Sequence, residues 1–312
     1  IQEKGSAPWF WPCIALLVVV LIFGGLSSPL NTWLKNMQAN STSGKTPAAP
    51  ITTMQVQRTA PYAGLDITVI SAQYATYFTD DNIRPGPATV RLNIRVTNTN
   101  SDQARITYDD SDRLIVPHMQ PIAPANSSFS SELQAGRSAS GWLDFAVQNN
   151  VPLRALALQL GSTAMSESLV TIPFRGIFDG SHYASKTYPL HDLFTYDFSG
   201  HILMYHLTSV ETRYAYQGSQ CKVGQQFYVF NFAVDNTENS AVTPGFGFDY
   251  LRLVSNGYSQ PPIDNTLPNT LKANAQGASG RVVFTGPADM RTFTIGFLSQ
   301  NGNGQQKFSV NI

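Results

Sequence analysis

At 312 residues the chain is long enough for two ordinary domains, each able to bury its own core. Formal net charge is zero and only 13% of residues are charged, which argues against nucleic acid as a partner, because that affinity is built on clustered Lys and Arg. The polar surface comes instead from Ser, Thr, Asn and Gln, a composition frequent outside cells.

Behind a short tip (1–8), residues 9–26 read WFWPCIALLVVVLIFGGL without a charge. As a helix this run would be about 27 Å long, close to the hydrocarbon thickness of a bilayer. Trp9 and Trp11 sit at one end and Trp33 beyond the other, where indole rings favour the interface. Pro12 falls in the first turn, where its missing N–H costs little. The alternative is a cleavable signal with Gly25 and Ser27 at its cleavage site, but the long apolar run and its aromatic flanks favour a retained anchor. The expected transmembrane helix is 9–27, anchored through Trp9, Trp11, Leu16, Leu17, Val18, Val19, Val20, Leu21, Ile22, Phe23 and Trp33. The lipid bilayer is thus the first expected partner. Glu3 and Lys4 on one side and Lys35 and Lys45 on the other leave orientation undecided by flanking charge. Composition and fold place the carboxy-terminal bulk outside the cytoplasm, on a single-pass plasma-membrane protein. Residues 28–60 are rich in Ser, Thr, Pro and Ala and read as a stalk.

The remainder repeats itself. Residues 90–102 (VRLNIRVTNTNSD) alternate Val90, Leu92, Ile94 and Val96 with Arg91, Asn93 and Arg95, and residues 228–240 (YVFNFAVDNTENS) do likewise. Period-two alternation predicts strands with one buried face, each closing on an Asn/Thr/Asp turn. The order then recurs: LDITVISAQY with ILMYHLTSVE, DRLIVP with DYLRLV, AGRSASGWLDF with AQGASGRVVF, LRALALQLG with MRTFTIGFL, and SLVTIPF with KFSVNI. Ser140–Gly141 and Ser279–Gly280 lie 139 positions apart, and glycine there allows a φ or a close approach that a Cβ would block. Six or seven short strands per half, with frequent turns and no amphipathic helix, predict antiparallel β-sandwiches at 61–175 and 200–312, joined by a connector at 176–199. The Cys–Trp–Cys pattern of antibody domains is absent. The fold class expected is all-β: two tandem immunoglobulin-like antiparallel β-sandwiches preceded by one transmembrane α-helix.

Two phrases occur in both halves, the strand end V-x-N-T-x-N or V-D-N-T-x-N and the turn-strand AGRSASGWLDF or AQGASGRVVF. Here the chain resembles a bacterial and archaeal family of extracytoplasmic immunoglobulin-like domains of unknown function, related to a small secreted mycobacterial immunoprotein antigen. The likeness spans about 65–174 and 200–312. It implies a fold and an exported location, and supplies no catalytic residues.

No nucleophile elbow, HExxH, Walker loop or paired CxxC occurs, so no enzyme and no cofactor is expected. His191, Asp192 and His201 in the connector region are the one thinkable transition-metal set, but their spacing matches no recognised ligand motif. Asp109, Asp110 and Asp112, with TDDN at 79–82, are a thinkable Ca²⁺ cluster; solvated turn carboxylates are the expected reading, since GFGFDYLR in the second half lacks them. Of the aromatics Tyr74, Tyr77, Phe78, Tyr214, Tyr216, Phe246, Phe248 and Tyr250, most are expected in cores and those near loops in a contact face. Cys13 and Cys221 are too differently placed to pair, and Cys221 reads as a free, small, semi-buried residue. Asn40 and Asn126 head glycosylation triplets, which matter only in a glycosylating host. The function expected is non-catalytic binding, adhesion or assembly at the cell envelope. The alternative is an accessory subunit of a membrane complex or a surface filament, packed through the amino-terminal helix. Either implies a protein partner or self-assembly, and no small-molecule ligand is indicated.

Overall fold

The computed structural model describes residues 50–80, 86–105, 107–130, 132–255, 258–298 and 305–312. The expected membrane helix and its anchor residues, Cys13, Asn40 and most of the stalk lie outside the described residues. Among the described residues no helix is long and apolar enough to cross a membrane.

The first half contributes β1 (Thr52–Tyr62), β2 (Leu65–Ala75), β3 (Ala88–Asn98), β4 (Ala104–Arg105), β5 (Asp112–Ile115), β6 (Asn126–Ser127), β7 (Glu132–Leu133), β8 (Ser138–Val147), β9 (Ala157–Leu160) and β10 (Val170–Pro173). The second contributes β11 (Lys186–Phe198), β12 (His201–Arg213), β13 (Ala215–Tyr216), β14 (Ser219–Gln220), β15 (Gln225–Asn236), β16 (Leu251–Ser255), β17 (Tyr258–Gln260), β18 (Asp264–Asn265), β19 (Ala278–Pro287), β20 (Thr292–Leu298) and β21 (Gln305–Asn311). Among the described residues helix is confined to short turns such as Tyr108–Ser111 and Gly247–Tyr250.

The larger sheets run β1-β2-β3-β8-β6 and β11-β12-β15-β19-β18, the same order strand for strand. Their companions are β10-β9-β5 and β17-β16-β20-β21, and the pairings are antiparallel. In each half the two sheets share one core, the arrangement of a β-sandwich. Val69, Leu92, Ile94 and Phe145 meet Leu114, Leu158 and Ile172 in the first. Tyr205, Phe230 and Phe284 meet Leu253, Ile295 and Phe297 in the second.

The repeated phrases have physical causes. Asn98 is buried at the end of β3 and donates to the carbonyls of Asp102 (2.8 Å) and Leu133 (2.9 Å) while accepting from the Asn100 N–H. Asn236 does the same at the end of β15, donating to Ser240 (2.8 Å) and Lys272 (2.9 Å) and accepting from Glu238. Each asparagine thereby satisfies loop carbonyls that burial would otherwise leave unpaired. A Cβ added at Gly141 would stand 2.6 Å from Ser128 Oγ, and one at Gly280 would stand 2.6 Å from Leu267 Cα. Close approach, not a special φ, is what requires glycine there.

Two segments expected as linkers are strands. Residues 52–60, assigned to the stalk, belong to β1, and 186–198, assigned to the connector, form β11. Both are edge strands whose pairing slips, between Gln55 and Arg58 in one and between Pro189 and Asp192 in the other. Each slip moves the alternation by a step and hides it from a period-two reading.

Candidate functional site: the cleft between the halves

β12 stays paired with β15 as far as Arg213, and the β13–β14 hairpin that follows it, with Cys221–Val223, fastens the two halves together. The Ser168 N–H donates to the Cys221 carbonyl (2.8 Å) and the Val223 N–H to the Ser166 carbonyl (2.9 Å). Gln220 accepts from the Ala63 N–H (3.0 Å) and donates to the Ser168 carbonyl (3.1 Å). The Tyr62 hydroxyl donates to Glu167 Oε2 (2.8 Å), which also accepts from the Ser162 N–H (2.7 Å). Burial, and then this bond to Glu167, hold the Tyr62 hydroxyl well above its ordinary pKa. Cys221 is buried in this joint, its thiol pushed up to about 11 chiefly by burial. A thiol held protonated in this way is a packing residue and a poor nucleophile.

Beside the joint lies a cleft of about 510 Å³ with three walls, a size typical of small-molecule sites, roughly 300–1,000 Å³. The β1–β2 turn and the Thr99–Asn100 loop form one wall, the connector 180–185 the second, and Arg213–Gln217 the third. The connector sits tightly on β1 because Gly180 is a glycine: a Cβ there would come within 2.6 Å of the Thr59 carbonyl oxygen. Asp179 accepts from the Ser181 N–H (2.9 Å), and these bonds hold its carboxyl below the usual range. That cap fixes the turn carrying His182 and Tyr183.

Aromatic rings meet across the second and third walls. His182 packs on Tyr183 (5.1 Å between ring centroids), and Tyr214 lies 6.1 Å from each. Arg213 also lines the cleft; its Nη2 is paired with Glu211, and its buried Nε has no hydrogen-bond partner among the described residues. Asp66, Asn100 and Gln217 complete a polar rim. The arrangement offers ring faces for stacking and planar groups for hydrogen bonding, the usual equipment of a recognition site.

The residues singled out from sequence are placed as follows. His191 stands in the irregular step of β11, and His201 pairs with Phe198 at the far end of the β11–β12 hairpin. The strand rise puts them roughly 20 Å or more apart, so they are not brought together with Asp192. His201 Nδ1 instead contacts Glu238 Oε2 (2.6 Å), and His206 contacts Asp235 (2.9 Å). Among the described residues no group of three or more His, Cys, Asp or Glu is placed to hold a metal. Asp109 and Asp110 are solvent-exposed, as expected. Asp112 is not a turn carboxylate: it is 3% exposed, and burial raises its pKa to about 8. Asp81 and Asn82 of TDDN lie outside the described residues.

Among the aromatics, Phe78 and Tyr250 are buried, Phe246 and Phe248 are exposed, and Tyr74 packs against the first core. Tyr214 and Tyr216 line the cleft. Asn126 pairs with Asp144 across β6 and β8. Sequence reasoning missed Arg213, Asn100, Asp66 and Tyr183 as site residues. The signal on offer was YAYQGSQ (214–220), an aromatic-rich turn.

No protein-family model and no curated protein matches the chain. Among solved structures, the chain is similar to one described as a functionally unknown protein from Listeria monocytogenes EGD-e. The identity is 15%, with a TM-score of 0.31, over 43% of this chain and 95% of that one.

Proposed function

We propose that this is a non-catalytic binding protein of the cell envelope, carried on a helix at 9–27 and acting outside the cytoplasm through two immunoglobulin-like sandwiches. The observation that carries the reading is the cleft: a concave surface of rings and planar polar groups, its walls set by hydrogen bonds that cross between the halves. Binding residues on loops held by a rigid β-scaffold are the common way such architectures recognise a ligand. The uncharged run at 9–26 supports the anchor through its length. The five-plus-three and five-plus-four strand arrangement supports the immunoglobulin-like assignment.

The test is purification of the full chain in mild detergent from its native membrane, beside Tyr214→Ala and Arg213→Lys variants, with identification of what travels with each. Material that accompanies the native chain and is lost from both variants supports cleft-based binding. A membrane protein carried in fixed ratio by all three forms would replace it with the accessory-subunit reading. Recovery in the soluble fraction would remove the anchor.

A further inference from the structure

The second sandwich has two ends. β12 meets β15 at Arg213 and Phe227 beside the joint, and at Leu203 and Asn236 at the opposite end. There the turn Gly247–Tyr250 and the β11–β12 hairpin enclose a hollow of about 320 Å³, whose lining includes Phe198, Pro244, Tyr250 and Leu298. Phe246 and Phe248 flank the first residue of the turn and are 56% and 40% exposed. Gly245 and Asp249 line the hollow, so Phe246 stands on its rim. The fold does not require these rings. Arg113 holds the Asp109 carbonyl as Arg252 holds that of Phe248, so Phe248 corresponds to Asp109 and Phe246 to Thr107, both exposed and polar in the first half. Single exposed apolar residues are ordinary, but two phenylalanines beside an apolar hollow form a patch of the kind that marks a contact.

Two observations select the occupant. Tyr62 and Phe198 each close the first hairpin of their sandwich, and Tyr62 is buried beside the joint. The end of a sandwich marked by this residue thus already receives, within this molecule, another sandwich of the same kind. Second, the tip carries both a projecting ring and a hollow able to take one, so two tips related by a twofold axis each supply what the other needs. The tip carboxylates are engaged within the chain. Asp197 accepts from the Gly200 N–H (2.8 Å), Glu238 contacts His201 Nδ1 (2.6 Å), and Asp249 accepts from the Phe246 N–H (3.2 Å). Shape and apolar burial, more than charge, therefore choose the partner.

We propose that this tip is a contact between two copies of the chain, which meet end to end with Phe246 of each entering the hollow of the other and Phe248 packing at the edge. The site is separate from the cleft and does not depend on cleft binding. A contact confined to the end of one sandwich lies at the small end of interface sizes, so the pairing is weak and reversible.

The experiment is sedimentation of the full chain in mild detergent across a concentration series reaching about 200 μM. The native mass is expected to rise from monomer towards dimer. The double variant Phe246→Thr, Phe248→Asp carries the residues of the first half at the same positions and is expected to weaken association at least about tenfold. Phe246→Leu, which keeps an apolar knob, should retain most of it, and Tyr214→Ala in the cleft should associate as the native chain does. A native chain that stays monomeric throughout overturns the proposal, as does a double variant that associates undiminished. Loss of association in Tyr214→Ala alone would move the contact to the cleft and overturn it too. If the native chain is monomeric but a different protein travels with it and is lost from the double variant, the tip belongs to that protein and not to a second copy. None of these outcomes bears on what the cleft binds, which the Tyr214→Ala and Arg213→Lys purifications read separately.

Discussion

In the first half, Arg91 and Asp144 face each other across β3 and β8 on the outer side of the large sheet; in the second, Val229 and Val283 hold the same register across β15 and β19. Both sites lie under a loop that leaves the preceding strand and folds back over the sheet. Arg91 is sandwiched between Phe78 (4.1 Å) and Trp142 (4.0 Å), bonded through two nitrogens to Asp144 (2.7 and 2.8 Å), and paired with Asp80. Burial opposes its charge, but the bonds to both carboxylates more than offset this and hold the guanidinium above its ordinary pKa. Those bonds also keep the Asp80 carboxyl below its usual range. The valines are covered by Tyr216, Phe227 and Cys221, a small apolar cluster. The lesson is that the repeat fixes where an outer patch must be covered, while the covering chemistry is free. The polar version closes a sandwich on itself; the apolar version, carried on β13 and β14, also fastens one half to the other.

The largest expected effect comes from breaking the polar version. Asp144→Ala leaves Arg91 buried with part of its pairing gone and should cost about 3–5 kcal/mol. Replacing both residues with valine, the second half's solution, should recover most of that loss, because an apolar pair of similar volume commonly matches a buried ion pair. Urea denaturation of the full chain by circular dichroism measures both. A double variant no better than Asp144→Ala would show that the two outer faces are not interchangeable.

Asp112 supplies the next contrast. Arg113 Nη1 donates to the carbonyls of Asp109 and Asp112, and Arg252 Nη1 donates to those of Phe248 and Leu251, so Asp112 stands where the second half has leucine. With its folded pKa raised to about 8, Asp112 stays protonated in the native chain at pH values where the unfolded chain has lost that proton. Its contribution to stability is therefore greatest below the unfolded pKa of about 3.9, declines as pH rises, and levels off above the folded value. Asp112→Asn should flatten this slope and stabilise the chain at pH 7 by on the order of 3 kcal/mol. Melting temperatures between pH 4 and 9 check it, and parallel profiles for the two forms would show that Asp112 does not titrate as described.

Where the halves agree, equal losses are expected. Asn98→Ala and Asn236→Ala each strand buried loop carbonyls and should cost about 1–3 kcal/mol apiece, measured by the same denaturation. A loss confined to one half would break the equivalence of the two strand ends.

The alternating strands were legible because one face of each is buried, as at Val90, Leu92, Ile94 and Val96. The edges were not. β1 presents exposed and half-buried residues along most of its length, with Gln57 at φ +50° in its irregular step, and β11 carries Pro189 beside its own. Proline and bulges are the devices that protect edge strands, and they erase the period that identifies a strand. Arg91 was misread as a surface residue for a related reason. Alternation reports one buried face, and the loop that buries the other face arrives from outside the strand. The cleft was hardest to see, since Asn100, Ser181 and Arg213 meet only through topology. Tyr214 and Tyr216 could be noticed, but nothing in their spacing pointed to Tyr183.

The finest contrast is a hydrogen bond that both halves make and only one backs up. At the bulges of β2 and β12, Asn93 Nδ2 donates to Ser71 Oγ and Asn231 Nδ2 donates to Ser209 Oγ, at 3.0 Å in each case. Asn231 has a second acceptor, Glu211 Oε1, at 3.3 Å, whereas no such carboxylate is seen at Asn93 among the described residues. Ser71→Ala should thus cost about 1 kcal/mol, the ordinary net worth of a hydrogen bond. Ser209→Ala should cost less, because Glu211 keeps the Asn231 amide engaged. Glu211 also pairs with Arg213, so the Ser209 variant draws on the group that holds the cleft arginine in place. If Ser209→Ala proves the more costly of the two, Glu211 is committed to Arg213 alone and the backup does not operate.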